Sequence, residues 1–347
     1  MKRLLPFFLF LFVVCESYAQ HVSCSQTLRL AQSTYEQGRL HEVPSLLQGC
    51  LTSGFNKQEK VSAYKLLTLS YLYLEEPEKA DEAMLNLLRT DPYFEINPAV
   101  DPAEFVGLYK SFRTKPIYRV GVVMGVNATR PNVTSSVETA ANSESEYTYG
   151  LAFQVGANVE IPFNEKITFN PSLLFQQKGF DIESKVSRGT DLEGNELYNT
   201  TTGREQQTWI ALPVTVQYSF TKSRFNPYIA AGISTDYCLR SDITIETIQD
   251  NAGAVQEKTV DIERNKINLS ALVAAGGKLR IFGGYFTGEI RYQYGLLNVN
   301  SEEKAYDNSD VVFSNNLGDS VFKLNSFSVT VGYVQNIFNP KKLTRRK

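Results

Sequence analysis

Beyond its first 19 residues, the 347-residue chain lacks the long apolar run that a membrane-spanning helix needs. No later segment approaches the ~20 uninterrupted apolar residues that carry a helix across a bilayer. This shortage leaves two classes, an exported soluble protein and a barrel that crosses the membrane with strands. The mean hydropathy of -0.24 excludes neither class, because barrel strands alternate polar and apolar residues.

Histidine is scarce and the net charge is small. His21 and His41 are the only histidines and both lie near the start, so the C-terminal two-thirds lacks the commonest general base. The 35 basic and 37 acidic residues nearly balance, so we expect no nucleic-acid partner. No spacing indicates a metal cluster, a phosphate loop or paired carboxylates, so we expect no catalytic residue, no metal and no cofactor.

The first 19 residues predict a signal peptide. A basic start (1–3) precedes an apolar run (4–14), and Ser17-Tyr18-Ala19 places small residues at positions −3 and −1 of a cleavage site. A lipoprotein would instead be cut at Cys15, but Val14 is not the small residue that such signals need. We favour export without lipidation, and the lipidated alternative stays open.

The period of the apolar residues changes near Pro116. Before it, apolar residues recur at helical spacing, and after it they alternate with period two. The sequence therefore predicts an N-terminal all-α domain followed by an all-β domain. The predicted helices run over about 24–37, 41–51, 57–74, 78–90 and 102–112. The predicted divisions are a helical domain (20–92), a linker with a short helix (93–116), a β-barrel (117–338) and a basic tail (339–347).

Packing residues recur at a fixed spacing in the helical region. They are Tyr71, Ala80, Met84, Leu87 and Pro92, with Tyr35 and Gly38 as a degenerate earlier copy. Small Ala80 lets one helix approach the other, and Tyr71 fills the gap between them. The spacing resembles that of tetratricopeptide repeats, a family that generally binds peptides or other proteins. Two copies are fewer than the three usually needed for stability, so we expect the last helix or the barrel rim to act as a cap.

Two cysteines flank the first predicted helical hairpin. The midpoint between Cys24 and Cys50 falls beside the bend at Gly38, so an antiparallel pair would bring them together. In an oxidising compartment we expect a disulfide that contributes about 3 kcal/mol. Two separately buried thiols are the alternative. Cys238 is predicted to be a lone strand residue.

Eight alternating segments follow Pro116. They are about Tyr118–Asn127, Tyr149–Ile161, Lys166–Phe180, Thr208–Phe220, Phe225–Leu239, Ile267–Leu279, Tyr285–Asn298 and Leu324–Phe338. Their connections alternate strictly between long polar ones (129–147, 183–205, 242–265, 300–322) and short ones (162–165, 221–224, 280–284). This order is typical of transmembrane barrels with long extracellular loops and short periplasmic turns. The sequence therefore predicts an eight-stranded antiparallel transmembrane barrel in the outer membrane, surrounded by its lipids.

The alternation also predicts which side chains face the barrel interior. The polar residues expected there are Gln154, Glu160, Gln217, Glu289, Arg291 and Gln293, which alternate with apolar residues on the opposite strand face. Aromatic residues are expected in girdles at the two membrane interfaces. One girdle comprises Tyr118, Phe163, Phe220, Phe225, Phe282, Tyr285 and Phe338, and the other comprises Tyr149, Tyr237 and Phe322.

Several short segments resemble one known family. They are Phe225-Asn226-Pro227-Tyr228-Ile229-Ala230-Ala231-Gly232, Leu212-Pro213-Val214, and Asp101-Pro102-Ala103-Glu104-Phe105 with Tyr109-Lys110 before the barrel. They are similar to the outer-membrane β-barrel domain family common in Bacteroidetes, sometimes called PorT-like. The resemblance implies fold and location, and it implies little about activity because the family is diverse.

Two classes of function follow from these expectations. An eight-stranded barrel is too narrow for a porin, so we favour a non-enzymatic anchor or scaffold. Its periplasmic helical domain would bind a protein or peptide of a secretion, motility or envelope complex. The alternative is an outer-membrane lipid-modifying enzyme or a surface ligand-binding protein. The barrel's lack of histidine disfavours the enzyme.

Overall fold

The computed structural model describes residues 19–136, 143–190, 196–221, 223–248, 255–281, 283–301, 303, 311–312 and 317–343. The predicted signal sequence before Ala19 and the lipidation position Cys15 lie outside these residues. The chain divides into two compact units. The helical unit comprises Met1–Pro116 and Phe338–Lys347, and the barrel unit comprises Ile117–Ile337.

Five α-helices are described in the helical unit. They are α1 (Ala19–Glu36), α2 (Val43–Thr52), α3 (Lys57–Tyr73), α4 (Pro77–Thr90) and α5 (Ala103–Lys110), with a short 3₁₀ helix (Leu40–Glu42) before α2. Asn56 and Glu59 form a capping box that starts α3, and Pro77 occupies the first turn of α4, where its missing N–H is not needed. Among the described residues, no helix combines the length and the apolarity needed to span a membrane.

The helices pack as two hairpins around two apolar clusters. Gly38, at φ 78°, makes the bend after α1, and Glu75 adopts a positive φ of 57° between α3 and α4. Ala80 is fully buried, which lets α4 approach α3 closely. Aromatic residues of α5 and the preceding segment cover the far side of α3 and α4, with Phe105 fully buried. The last helix therefore caps the second hairpin.

The C-terminal segment belongs to the helical unit. The backbone N–H of Arg113 donates to Lys341 O at 2.9 Å, and that of Leu343 donates to Ser111 O at 2.8 Å. The Phe338 ring lies 4.8 Å from that of Tyr93. Residues 339–343 of the predicted basic tail are therefore held to the helical unit, and Phe338 belongs to that unit rather than to a barrel girdle. The basic side chains do not prevent this association, because the hydrogen bonds are formed by backbone groups.

Nine antiparallel strands are described in the barrel unit. They are β1 (Tyr118–Ser135), β2 (Ser143–Pro162), β3 (Ile167–Thr190), β4 (Glu196–Ser219), β5 (Phe225–Ile248), β6 (Val255–Asp261), β7 (Ile267–Ile281), β8 (Gly284–Gly295) and β9 (Val321–Ile337). Eight of them close a ring in which β1 pairs with β9 and β5 pairs with β7. The remaining strand, β6, is outside this ring and pairs with residues 242–248 of β5.

The strands extend further than the sequence predicts. Most of the residues expected in the long connections 129–147, 183–205 and 242–265 are paired strand residues. The prediction was wrong because their Ser, Thr and Glu content resembles that of loops. Some inner positions carry apolar side chains, such as Ile243 and Ile245, which are almost fully buried, and others carry polar ones, such as Ser184 and Glu205.

The outer face of the ring is apolar. Its most exposed side chains include Leu151, Val122, Met124, Val126 and Ile233. Outward aromatics lie on both sides of this band: Tyr118, Phe163, Phe220, Phe225 and Phe286 at the short-turn end, and Tyr149, Tyr237, Tyr292 and Tyr294 at the long-connection end. A band between two aromatic girdles is the surface of a barrel embedded in lipid.

Candidate functional site

The barrel interior holds charged side chains in layers, beginning at the short-turn end. Glu160 accepts from the Lys278 ammonium at 2.6 Å and from the Arg119 guanidinium at 3.0 Å. Lys278 also donates to Gln217 Oε1 at 2.8 Å, and Arg119 donates to Asn336 Oδ1 at 3.0 Å. Buried charges need such partners, and in this layer two cations share the Glu160 carboxylate.

The second layer joins Glu289, Arg291 and Tyr228. The Arg291 guanidinium lies 2.7 Å from Glu289 Oε1, and the Tyr228 hydroxyl donates to Glu289 Oε2 at 2.8 Å. Alternation along β8 points both charged residues inward, two positions apart on the same face. Each is partnered, so neither is an isolated acid or base.

The third layer is centred on Asp236. Its carboxylate accepts from the Lys178 ammonium at 2.9 Å and from Gln293 Nε2 at 3.0 Å. The Lys178 ammonium also lies 5.4 Å from the Trp209 ring centroid. Gln176 donates to Gln154 at 2.9 Å nearby. The six polar residues predicted for the interior, Gln154, Glu160, Gln217, Glu289, Arg291 and Gln293, are all buried within these layers.

The fourth layer closes the long-connection end around Arg264. Its guanidinium contacts Glu205 Oε2 at 2.6 Å and Asp319 Oδ1 at 2.6 Å, and all three side chains are at most 3% exposed. The guanidinium carbon lies 5.2 Å from the Phe322 ring centroid. An apolar cluster surrounds this ion triad and includes Trp209, Phe180, Phe322, Ile243 and Leu317.

The connection between β8 and β9 contributes to this closure. Val299, Val311 and Leu317 are buried in the apolar cluster, and the Tyr147 hydroxyl donates to Gly318 O at 3.1 Å. The interpretation of residues 300–322 as a polar outward loop is therefore wrong for the described part. Phe322 is likewise not an interface aromatic, because its ring packs inside. Phe282 lies outside the described residues.

The sequence prediction missed the charged residues that bind across the ring. Lys178 and Lys278 occupy inward strand positions, so alternation alone could have identified them. Arg264 and Asp319 lie in connections, where no periodic signal exists. Arg264 pairs with both Glu205 and Asp319, and these contacts depend on how the connections fold.

The arrangement offers little for acid–base or metal chemistry. No group of three or more His, Cys, Asp and Glu side chains in the described part of the chain is suited to hold a metal. The Cys238 thiol is buried in the apolar cluster, where its described hydrogen bond goes to Arg240 O at 3.6 Å. In the described part of the barrel, ion-paired and apolar side chains occupy the interior.

The helical unit contains the predicted disulfide pair and repeat-packing residues. The structure joins Cys24 to Cys50 in a disulfide, with Cα atoms 5.7 Å apart. Ala80, Met84 and Leu87 are buried in α4, and Tyr71 packs against the core that contains the disulfide. Tyr35 packs beside the core, Gly38 forms the bend, and Pro92 follows α4 in a turn.

A partly buried ion pair joins α3 to the segment that precedes α5. The Lys65 ammonium lies 2.5 Å from Asp101 Oδ1, and Asp101 also accepts from the backbone N–H of Asn97. Burial alone raises the pKa of the Asp101 carboxyl, but these hydrogen bonds and the Lys65 charge outweigh it and hold the pKa below its usual value. Lys65 also lies over the Phe105 ring at 5.7 Å.

A closed eight-stranded ring with an apolar outer band, two aromatic girdles and an ion-paired interior defines an outer-membrane β-barrel protein. The chain matches the family described as outer membrane protein beta-barrel domain over residues 115–301, and it belongs to that family.

Solved structures of similar fold include several bacterial surface barrels. Neisserial surface protein A is 10% identical, with 63% of this chain and 97% of that chain covered and a TM-score of 0.32. OprG from Pseudomonas aeruginosa is 13% identical, with 64% and 98% covered and a TM-score of 0.31. Ail of Yersinia pestis, solved with a heparin analogue, is 11% identical, with 62% and 98% covered and a TM-score of 0.27. No curated protein matches the chain.

Proposed function

We propose that this outer-membrane barrel is a non-enzymatic anchor whose helical domain binds a protein or peptide in the periplasm. The observation that carries the proposal is the sealed interior. Four ion-paired layers and an apolar cluster occupy it, so the described barrel has no evident route for solute. Function then falls to surfaces outside the ring, as in a scaffold of a secretion, motility or envelope complex.

The orientation follows from the connections. The chain enters β1 and leaves β9 at the end where the other turns are short. Short turns face the periplasm in outer-membrane barrels, so we place the helical domain there and the long strand extensions outside the cell.

The surface of the helical domain supports a binding role. The packing of Tyr71 and Ala80 between α3 and α4 is the arrangement that tetratricopeptide-like hairpins use, and we assign the domain to that type. Leu30 and Tyr73 expose about half of their side chains, and the Tyr73 ring lies 6.4 Å from that of Tyr35. Exposed aromatic and aliphatic residues of this kind anchor protein interfaces. A PorT-like Bacteroidetes origin agrees with this role.

A lipid-modifying enzyme has less support. The Glu289 carboxylate is bound by Arg291 and Tyr228, and the barrel sequence contains no histidine to act as a base. A conventional nucleophile–base pair is therefore not evident among the described barrel residues.

The test is partner capture from detergent-solubilised outer membrane after in-cell crosslinking. The full chain is compared with a Leu30→Ser/Tyr73→Ser variant and with Val100→Ser, a matched exposed apolar residue of the same unit. We expect the double variant to lose partners that Val100→Ser retains. Deleting residues 20–115, with barrel folding checked by heat-modifiable gel mobility, is the coarser arm. Unchanged partner recovery in that deletion would overturn the proposal.

A further inference from the structure

The outer face of β1 changes abruptly from apolar to charged at the long-connection end. Its outward positions are Tyr118, Val120, Val122, Met124, Val126 and Ala128, followed by Arg130 and Asn132. Arg130 therefore stands immediately beyond the apolar band, at the depth where lipid headgroups begin.

Two contacts with the neighbouring strand β2 hold the Arg130 guanidinium in place. Its Nε donates to Tyr147 O at 3.1 Å, and its carbon lies 5.7 Å from the Tyr149 ring centroid. No described residue forms an ion pair with it. The outward arginines of β4 and β5 differ, because Arg204 binds Asp181 and Arg240 binds Asp242.

A second cation lies beside Arg130. Asn132 pairs with Lys323 of β9, and Arg130 pairs with Asn325, so Arg130 and Lys323 are diagonal neighbours on the same outer face. Diagonal neighbours of a sheet lie about 7–8 Å apart, within reach of one anionic group for side chains of this length. No described residue forms an ion pair with Lys323 either.

Arg130 lines an open groove on the outer wall, and Lys323 lies beside this groove on the same outer face. The groove has a volume of about 560 Å³ and is lined by Arg130, Tyr149, Tyr292, Asn325, Asn132 and Glu146. Directly toward the membrane lie Leu151, which is 80% exposed, and Phe327, which is 50% exposed. A soluble anion would leave these apolar surfaces uncovered, whereas a lipid covers them with its chains.

We propose that this groove binds the phosphate group of a membrane lipid, with Arg130 and Lys323 as its cationic ligands. The acyl chains run along the outer face past Leu151 and Phe327. Arg130 offers two terminal nitrogens to phosphate oxygens, the fork geometry that guanidinium groups use for phosphate. The assignment to the outer leaflet rests on the orientation given under the proposed function, but the site itself does not.

The test uses the purified full chain in phosphatidylcholine nanodiscs that contain bis-phosphorylated lipid A. Bound lipid A is counted by native mass spectrometry across a range of mole fractions. Arg130→Gln/Lys323→Gln is compared with Arg204→Gln, which removes an outward charge that already has a partner. We expect the double variant to weaken lipid A binding about tenfold or more, and Arg204→Gln to leave it unchanged.

Further arms distinguish the source of the phosphate. Dephosphorylated lipid A should bind no better to the wild-type chain than to the double variant. Arg130→Lys, which keeps the charge without the fork, should bind with intermediate affinity. Equal binding by the wild-type chain and the double variant would overturn the proposal, as would displacement of lipid A by millimolar inorganic phosphate. Partner capture by the helical domain is measured separately, so either proposal can fail alone.

Discussion

At the scale of single residues, Arg264 is a charged side chain that is almost fully buried in the barrel. It is buried with two carboxylates, Glu205 and Asp319, and its guanidinium faces Phe322. Ser241 and Gln207 also hydrogen-bond Glu205, so the oxygens of that carboxylate are well satisfied. Removing a charge from such a group leaves its partners buried and unpaired.

We therefore predict that Arg264→Met destabilises the barrel by about 3–5 kcal/mol. The measurement is urea unfolding in lipid vesicles, followed by the heat-modifiable shift in gel mobility. Arg204→Met is the matched control, because its pair with Asp181 is exposed and should contribute at most about 1 kcal/mol. Equal losses in the two variants would contradict the assigned role of Arg264.

The individual inward residues were predictable to different degrees. Glu289 and Arg291 follow from alternation, because period two places both on the polar face of one strand. Their binding to each other and to Tyr228 could not be predicted, since Tyr228 lies 61 positions from Glu289 and meets it only through ring closure. Arg264 lies in a connection between strands, where no alternating pattern predicts the direction of a side chain.

At the scale of elements, the C-terminal segment after β9 is held to the helical unit by backbone pairing. Two backbone hydrogen bonds join 111–113 to 341–343, and the Arg113 guanidinium donates to Asn339 O at 2.7 Å. Lys342 also pairs with Asp81 of α4. The segment thus ties the end of the chain to the region just after α5.

Deleting residues 339–347 is expected to lower the stability of the helical unit by about 1–3 kcal/mol, since each net hydrogen bond contributes about 1 kcal/mol. The measurement is hydrogen exchange at the backbone N–H of Arg113, compared between the full chain and the deletion variant. Lys341→Ala serves as the control because it keeps the backbone bonds and should leave exchange unchanged. Unaltered protection after deletion would show that the pairing contributes nothing.

Element boundaries were the least predictable part of the fold. Beyond the apolar band, β3, β4 and β5 continue as polar ladders that resemble loop sequence. The inner residues, such as Ile182, Ile243 and Ile245, carried a weak period-two signal that the many Ser and Thr residues hid. The disulfide was easier to predict, because its two cysteines flank a local hairpin.

At the scale of the whole molecule, the layered interior predicts a barrel without a channel. Two layers pair charges of different strands, Glu160 with Lys278 and Asp236 with Lys178, and in another layer Glu289 pairs with Arg291 of the same strand. The Arg264 triad lies within an apolar cluster at one end. In planar bilayers we expect no stable conductance from the folded wild-type chain. A large open-channel conductance would show that the interior rearranges, and would remove the main support for an anchoring function. A channel-forming porin in the same bilayers provides the positive control.

The sequence by itself determined the class of the molecule. Period-two alternation and the long–short order of the connections predicted an outer-membrane barrel, because both are local patterns that lipid and water impose on each strand. The tertiary structure decided what fills the ring. The contacts of Lys178 with Asp236, Lys278 with Glu160, and Arg264 with Glu205 join residues 58, 118 and 59 positions apart. Such contacts depend on ring closure and on how a connection folds inward, and no local pattern encodes either.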